Sequence, residues 1–301
     1  MHRFGLMVMG SAVALGLTAA TAVQATEVTY SQPTFDRWNY PFNFNNGTRD
    51  VASTFSAVGT PGFDNADGQF YFAFDTSSDF AAGLGQGNYI INSVTVTVTT
   101  QSAGYAYDAT YDDVSTFAGA DPDAGRPIHL TAAGFRYGFN ASSYGETGPF
   151  GPPGPPAPRV RTAFAADVSG GAPVDVSNFV TDGFNFNPLA TGAVPGLAPG
   201  DAVPDQSTYT FEVDLSDPDV AAYFQSSLND GLVPLSVISM QPTVQGGGAN
   251  FPVPFFYAKE SLNPQAVPAT LTIDAIAVPE PTSLGLLGCV GVALLSRRRR
   301  S

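Results

Sequence analysis

The chain has 301 residues, 44% of them apolar and 13% charged, with 12 Lys+Arg against 26 Asp+Glu and a formal net charge of −14. That much apolar material suits one large β domain or two smaller ones and excludes a wholly disordered chain. So few basic residues exclude a nucleic-acid surface, which needs clustered Lys and Arg. The single cysteine, Cys289, excludes an intrachain disulfide framework, a CxxC redox pair and a multi-cysteine zinc site.

Residues 1–25 begin with His2 and Arg3, run through an apolar stretch from Phe4 to Leu17 and leave through Val23-Gln24-Ala25. The small-x-small exit marks a signal peptidase cut after Ala25, and the apolar stretch falls short of the ~20 residues that a membrane-spanning helix needs. A secretory signal peptide is expected. The body that follows, 26–277, holds nearly all the acids, 21 of the 26 in the whole chain being Asp rather than Glu. Asp favours turns and caps over helix faces.

Period-two alternation dominates this body. Phe70, Phe72 and Phe74 alternate with Tyr71 and Ala73. In Asn92–Thr99 the residues Val94, Val96 and Val98 fall on one face and Thr95, Thr97 and Thr99 on the other, as a half-buried strand requires. Tyr209, Phe211 and Val213 repeat the pattern, as do Leu271 and Ile273, and further strands are expected in 51–58, 128–137, 160–168, 234–241 and 253–259. Gly, Pro, Asn and Asp clusters separate them. One helix interrupts the series near 218–229: Asp217 is a good N-cap, Pro218 suits the first helical position, Gly231 suits the stop, and Val220, Phe224 and Leu228 share a face. Many short strands with Gly- and Pro-rich turns and almost no helix predict an all-β, antiparallel sandwich, jelly-roll-like, with this one short helix. The Pro-rich stretch 148–158 is too short and irregular for a collagen triple helix and reads as an exposed loop or a linker between two domains.

Reactive side chains are sparse. The body carries one histidine, His129, inside an apparent strand, so histidine-dependent triads and multi-histidine metal sites are not expected. No GxSxG, HExxH, P-loop or GxGxxG motif stands where its chemistry would need it. Two Asp-rich turns, one with Asp64 and Asp67 before Gly68, the other with Asp121 and Asp123 before Gly125, offer the short oxygen side chains that calcium prefers. The other reading of the same residues is plain Asx and Asp-Gly turns. The loop Tyr107–Asp113 adds a third acidic stretch, which reads as solvated. Trp38 and Tyr40, crowded with Phe35, Phe42 and Phe44 near several Asn residues, are candidates for stacking a sugar or for plugging the sandwich.

The C-terminal segment 278–301 has three parts in order: Pro279-Glu280-Pro281, an uncharged membrane segment at 282–296, and the cluster Arg297, Arg298, Arg299 and Arg300. Arginines just after an apolar stretch orient that end toward the cytoplasm, and a span of this length anchors weakly. This tail resembles the PEP-CTERM sorting signal of Gram-negative bacteria, and the body is similar to the β-rich ectodomains that precede such tails. The resemblance implies a transient inner-membrane anchor, removal of the tail by an exosortase, and release to the cell surface or beyond. It implies a surface or matrix role associated with exopolysaccharide and supplies no catalytic residues. The expectation is therefore an exported, non-enzymatic protein whose processing partners are signal peptidase and an exosortase, with no nucleic acid and no cofactor other than calcium at the Asp turns. The alternative is a glycan-binding module, calcium-dependent or not, or a two-carboxylate glycosidase.

Overall fold

Backbone alternation is realised as thirteen strands among the described residues of the computed structural model, which are 25–42, 49–57, 67–102, 104–117, 123–149, 160–243 and 252–278. In chain order they are β1 (Thr26–Tyr30), β2 (Phe35–Asn39), β3 (Val51–Ser53), β4 (Gln69–Asp75), β5 (Tyr89–Thr99), β6 (Ile128–Phe135), β7 (Ala163–Asp167), β8 (Val174–Asp175), β9 (Ala190–Thr191), β10 (Thr208–Glu212), β11 (Leu232–Ser239), β12 (Phe255–Tyr257) and β13 (Thr270–Ala277). Three α-helices join them among the described residues: α1 (Ala141–Tyr144), α2 (Phe179–Asp182) and α3 (Pro218–Asp230). Mostly β, with antiparallel sheets, the body agrees with the all-β expectation.

One sheet runs β1-β13-β5-β10 and a second β2-β4-β11-β6-β7-β8, with β9 also paired to β6; β12 and β3 form a separate pair. Between the two larger sheets lies a shared core. From the first come Val94, Val96, Val98, Tyr209, Phe211, Leu271 and Ile273; from the second come Phe70, Phe72, Phe74, Leu130, Leu235 and Val237. The valine face of β5 is thus the inward one. Its threonine face forms a hydroxyl ladder with neighbouring strands, Thr97 Oγ1 lying 2.7 Å from that of Thr270 and Thr99 Oγ1 3.0 Å from that of Thr208.

The second sheet departs from simple alternation. Tyr71 and Ala73, on the outward face of β4, are buried almost as completely as Phe70, Phe72 and Phe74, with which they alternate. Two satellite clusters cover that face: Phe35, Ala133, Ala163 and Tyr144 in one, and Ala165, Ile238, Met240, Val176, Phe179 and Phe186 in the other. The segments holding α1 and α2 supply this cover, so the central strands are buried on both sides.

Helix α3 forms where its local signals place it. Asp217 accepts from the Asp219 N–H at 2.9 Å, Pro218 occupies the first turn, and Gly231 ends the helix in the left-handed conformation at φ 76°. Val220, Phe224 and Leu228 enter the main core. Tyr223 does something the sequence pattern does not foretell. Its hydroxyl donates to the Pro234 carbonyl and accepts from the Ala133 N–H, standing in where the β6–β11 ladder stops.

The Pro-rich stretch joins β6 to β7, which pair directly, so it connects neighbouring strands of one sheet rather than two domains. Residues Ala25–Val278 form a single compact unit. Of the loop 148–158 only Gly148 and Pro149 are described; Gly148 is buried, not exposed, its carbonyl accepting from Arg37 at 2.6 Å. Except for Ala25 and Val278, the segments expected to be a signal peptide (1–25) and a sorting tail (278–301, with a membrane segment at 282–296) lie outside the described residues; among the described residues no helix is long and apolar enough to cross a membrane.

Candidate functional site

Asp108, Asp112 and Asp123 each bring a carboxylate oxygen within 4.8 Å of the other two. Asp108 and Asp112 come from the loop after β5, and Asp123 from the turn before β6. A close backbone approach joins the two segments: Gly125, at φ +115°, lies so near the first loop that a Cβ would overlap the Tyr107 carbonyl oxygen and the Asp108 Cβ. Only glycine meets both demands. Asp108 is 1% exposed and Asp112 5%. Thr110 stands between two of the acids, its Oγ1 lying 2.7 Å from Asp108 Oδ1 and 3.0 Å from Asp123 Oδ2, although one hydroxyl has one proton to give. Asp108 Oδ2, Asp112 Oδ2 and Asp123 Oδ1 accept no hydrogen bond. Arg126 approaches Asp112 to 3.6 Å and donates to the carbonyls of Gly125 and Thr116. Desolvation, reinforced by Asp108, pushes the Asp112 carboxyl up to about 6 against the pull of Arg126.

A second acidic group joins Asp36 of β2, Glu146 after α1 and Glu260 after β12. Here a cation already sits among the acids. Lys259 Nζ lies 3.1 Å from Glu146 Oε2 and 3.3 Å from Glu260 Oε1 and donates to the Thr34 carbonyl at 2.8 Å. Its backbone N–H donates to Asp36 Oδ2 at 2.9 Å. Burial, with hydrogen bonding to Glu146 and the charge of Asp36, pushes Glu260 up to about 8, and burial raises Asp36 to about 6.

The remaining sequence candidates separate. Of the four Asp residues expected to favour calcium, Asp123 joins the first group. Asp64 and Asp121 lie outside the described residues. Asp67 belongs to neither group: it is buried, its Oδ1 accepts from the Ala57 N–H at 2.7 Å, and its backbone carbonyl accepts from the buried Arg161. Burial raises its carboxyl to about 6 while the Arg161 guanidinium pulls it down. Trp38 and Tyr40 stack on each other, centroids 4.6 Å apart, and Tyr40 meets Phe55 edge-on. The Trp38 Nε1–H donates to the Ser53 carbonyl, and the Arg49 guanidinium lies 5.1 Å from the ring centroid. Both rings therefore pack within an aromatic cluster and remain half-buried. His129 is a packing residue between Tyr111 and Phe186, held neutral because burial lowers its pKa to about 3. The sorting residues Pro279, Glu280, Pro281 and Arg297–Arg300 lie outside the described residues.

One cleft of about 430 Å³ opens where α3 meets β6 and β11. Phe135 and Tyr223 give it aromatic surface, and Asn140, Ser142, Ser226 and Asp230 give it polar groups. Aromatic surface beside a carboxylate, an amide and hydroxyls is binding chemistry of the kind polyols use. Asp108 and Asp112 were legible only as an acidic loop; the glycine that joins that loop to Asp123 was the signal that could have paired them. No family model, characterised protein or solved structure matches this chain.

Proposed function

We propose that this chain is an exported surface or matrix protein that acts by binding rather than by turnover, delivered by its signal peptide, tethered briefly in the inner membrane and released by an exosortase. The observation that carries this reading is where the folded body begins and ends. β1 starts at Thr26, one residue after the expected signal peptidase cut, and β13 ends at Ala277, just before the Pro-Glu-Pro motif. These two strands pair with each other, Thr26 opposite Ala275. Cutting the chain at both expected places would therefore leave every described strand whole. Intact-mass measurement of protein recovered from its native host tests this: a species that lacks residues 1–25 and the Arg297–Arg300 cluster is expected, and a mature species retaining those arginines would overturn it.

The sandwich itself reads as a jelly roll. Taking β1, β4, β5, β6, β7, β10, β11 and β13 as the eight principal strands, the first sheet is ordered first-eighth-third-sixth and the second second-seventh-fourth-fifth. That is the interleaving produced when one long antiparallel hairpin rolls up, and jelly rolls are common among lectin and capsid domains.

A glycan-binding role is the second reading, favoured by the cleft with Phe135, Tyr223, Asn140 and Asp230. Association with exopolysaccharide would follow from it. A glycan array probed with and without calcium is the test: retention that falls on Asp230→Ala supports the cleft, and retention unaffected by that change would remove it from consideration.

A further inference from the structure

We propose that Asp108, Asp112 and Asp123 bind one calcium ion. Three observations lead there. The carboxylate oxygens lie within 4.8 Å of one another, which is the span available to two oxygens across an ion at about 2.4 Å. Asp108 is all but fully buried and yet its Oδ2 accepts no hydrogen bond; neither does Asp112 Oδ2, which meets Arg126 at 3.6 Å, nor the buried Oδ1 of the half-buried Asp123. A buried carboxylate oxygen without a donor is costly, and an ion that meets all three at once removes that cost. Three carboxylates and one neighbouring guanidinium, moreover, leave two negative charges uncompensated, the charge of one divalent cation.

The donors fix the class of ion. All are hard oxygens, with Thr110 Oγ1 as a further oxygen beside Asp108 and Asp123, and neither group of acids includes a histidine or cysteine. Such a set favours calcium or magnesium over zinc and copper. Ligands drawn from two irregular loops suit the adaptable coordination of calcium better than the strict octahedron of magnesium. The ion would tie the loop after β5 to the turn before β6, the junction that Gly125 already brings into contact.

The test uses the full chain, stripped with a chelator and then titrated with calcium, with magnesium, or with sodium chloride at matched ionic strength, following the melting temperature. Terbium emission under tyrosine excitation gives a second readout, since Tyr107 and Tyr111 adjoin two of the ligands. Asp108→Asn and Asp123→Asn are the variants; the first keeps Oδ1 as acceptor for the Thr110 N–H, and the second changes a side chain on a surface turn. A saturable, calcium-specific rise in melting temperature is expected, with calcium and terbium affinity weakened by roughly tenfold or more in both variants. Equal responses to all three salts, or a calcium response undiminished by either substitution, would overturn the proposal. It does not depend on export or on the glycan reading, so its failure leaves both of those standing.

Discussion

Two groups of three carboxylates lie in the same body and are stabilised in different ways. Around Asp36, Glu146 and Glu260 the chain supplies its own cation, the only lysine in the sequence, with its ammonium hydrogen-bonded among the acids. A proton held by Glu260 at neutral pH leaves two carboxylates, which face the Lys259 ammonium and, at Glu146, the field of the Arg37 guanidinium. Around Asp108, Asp112 and Asp123 the guanidinium of Arg126 stands 3.6 Å from Asp112 and donates to the Gly125 and Thr116 carbonyls. Proximity of acids is therefore a poor indicator of a metal site by itself. What separates the two groups is whether an ammonium already occupies the space an ion would take, and that depends on where one lysine falls.

Removing that lysine should give the largest effect. Lys259→Ala leaves three acids around a void, and unpairing a largely buried ion cluster costs about 3 kcal/mol. Urea unfolding in chelator should show this loss, and added calcium should restore part of it as the second group becomes a site like the first. A variant as stable as the parent would mean that the ammonium is not what holds the three acids together. Gly125→Ala should cost about 2 kcal/mol, since it combines a left-handed φ with overlap against the Tyr107 carbonyl. It should also abolish the calcium response of the first group while leaving the second group intact. Retention of that response would separate the backbone approach from ion binding.

The lysine-filled group should also give stability a pH dependence of definite sign. Glu260 is raised from 4.5 to about 8 and Asp36 from 3.8 to about 6, so the folded state holds both protons more tightly than the unfolded state does. Below the unfolded values both states are protonated and nothing is lost. As pH rises through that window the unfolded chain releases its protons first, and stability falls until pH passes about 8. The groups facing Glu260 are Asp36, Glu146 and Lys259, with Arg37 acting on Glu146. Urea midpoints measured across the window should decline, and Glu260→Gln should flatten the upper part of the decline. A parent profile that rises between 4.5 and 8 would contradict this account.

How much was visible in the sequence follows from how local each signal is. Helix α3 was legible almost to the residue because its cap, first-turn proline, apolar face and terminating glycine all lie within fifteen consecutive positions. Strand β5 was legible because its partner sheet leaves the threonine face half open. By contrast, β4 gave only half its burial, since Tyr71 is covered by Tyr144 and Phe35, which no alternation rule brings together. The two acidic groups were hidden for the same reason. Asp36 meets Glu260 across most of the chain, and Asp108 meets Asp123 only because Gly125 closes the gap. Asp67, expected as a calcium ligand beside Gly68, is buried, its carboxylate accepting from the Ala57 N–H and its carbonyl from Arg161.

The smallest expected effect is also the most discriminating, because its sign reverses. Asp123 is the least buried member of the first group, and its carboxylate raises the pKa of Asp112 through the field that it adds. In chelator, Asp123→Asn removes one of three mutually repelling charges while keeping an oxygen near Thr110. Stability should therefore stay level or rise by up to about 0.5 kcal/mol. In saturating calcium the same change removes a ligand, so the variant should melt below the parent. An ordinary acidic turn gives no such reversal: its substitution would have one sign in both conditions, shifted only by general screening of the protein's negative charge. Paired melting curves of parent and variant, each with chelator and with calcium, measure the difference directly. A variant that ranks the same way in both would leave Asp108, Asp112 and Asp123 as a buried acidic cluster that holds no ion.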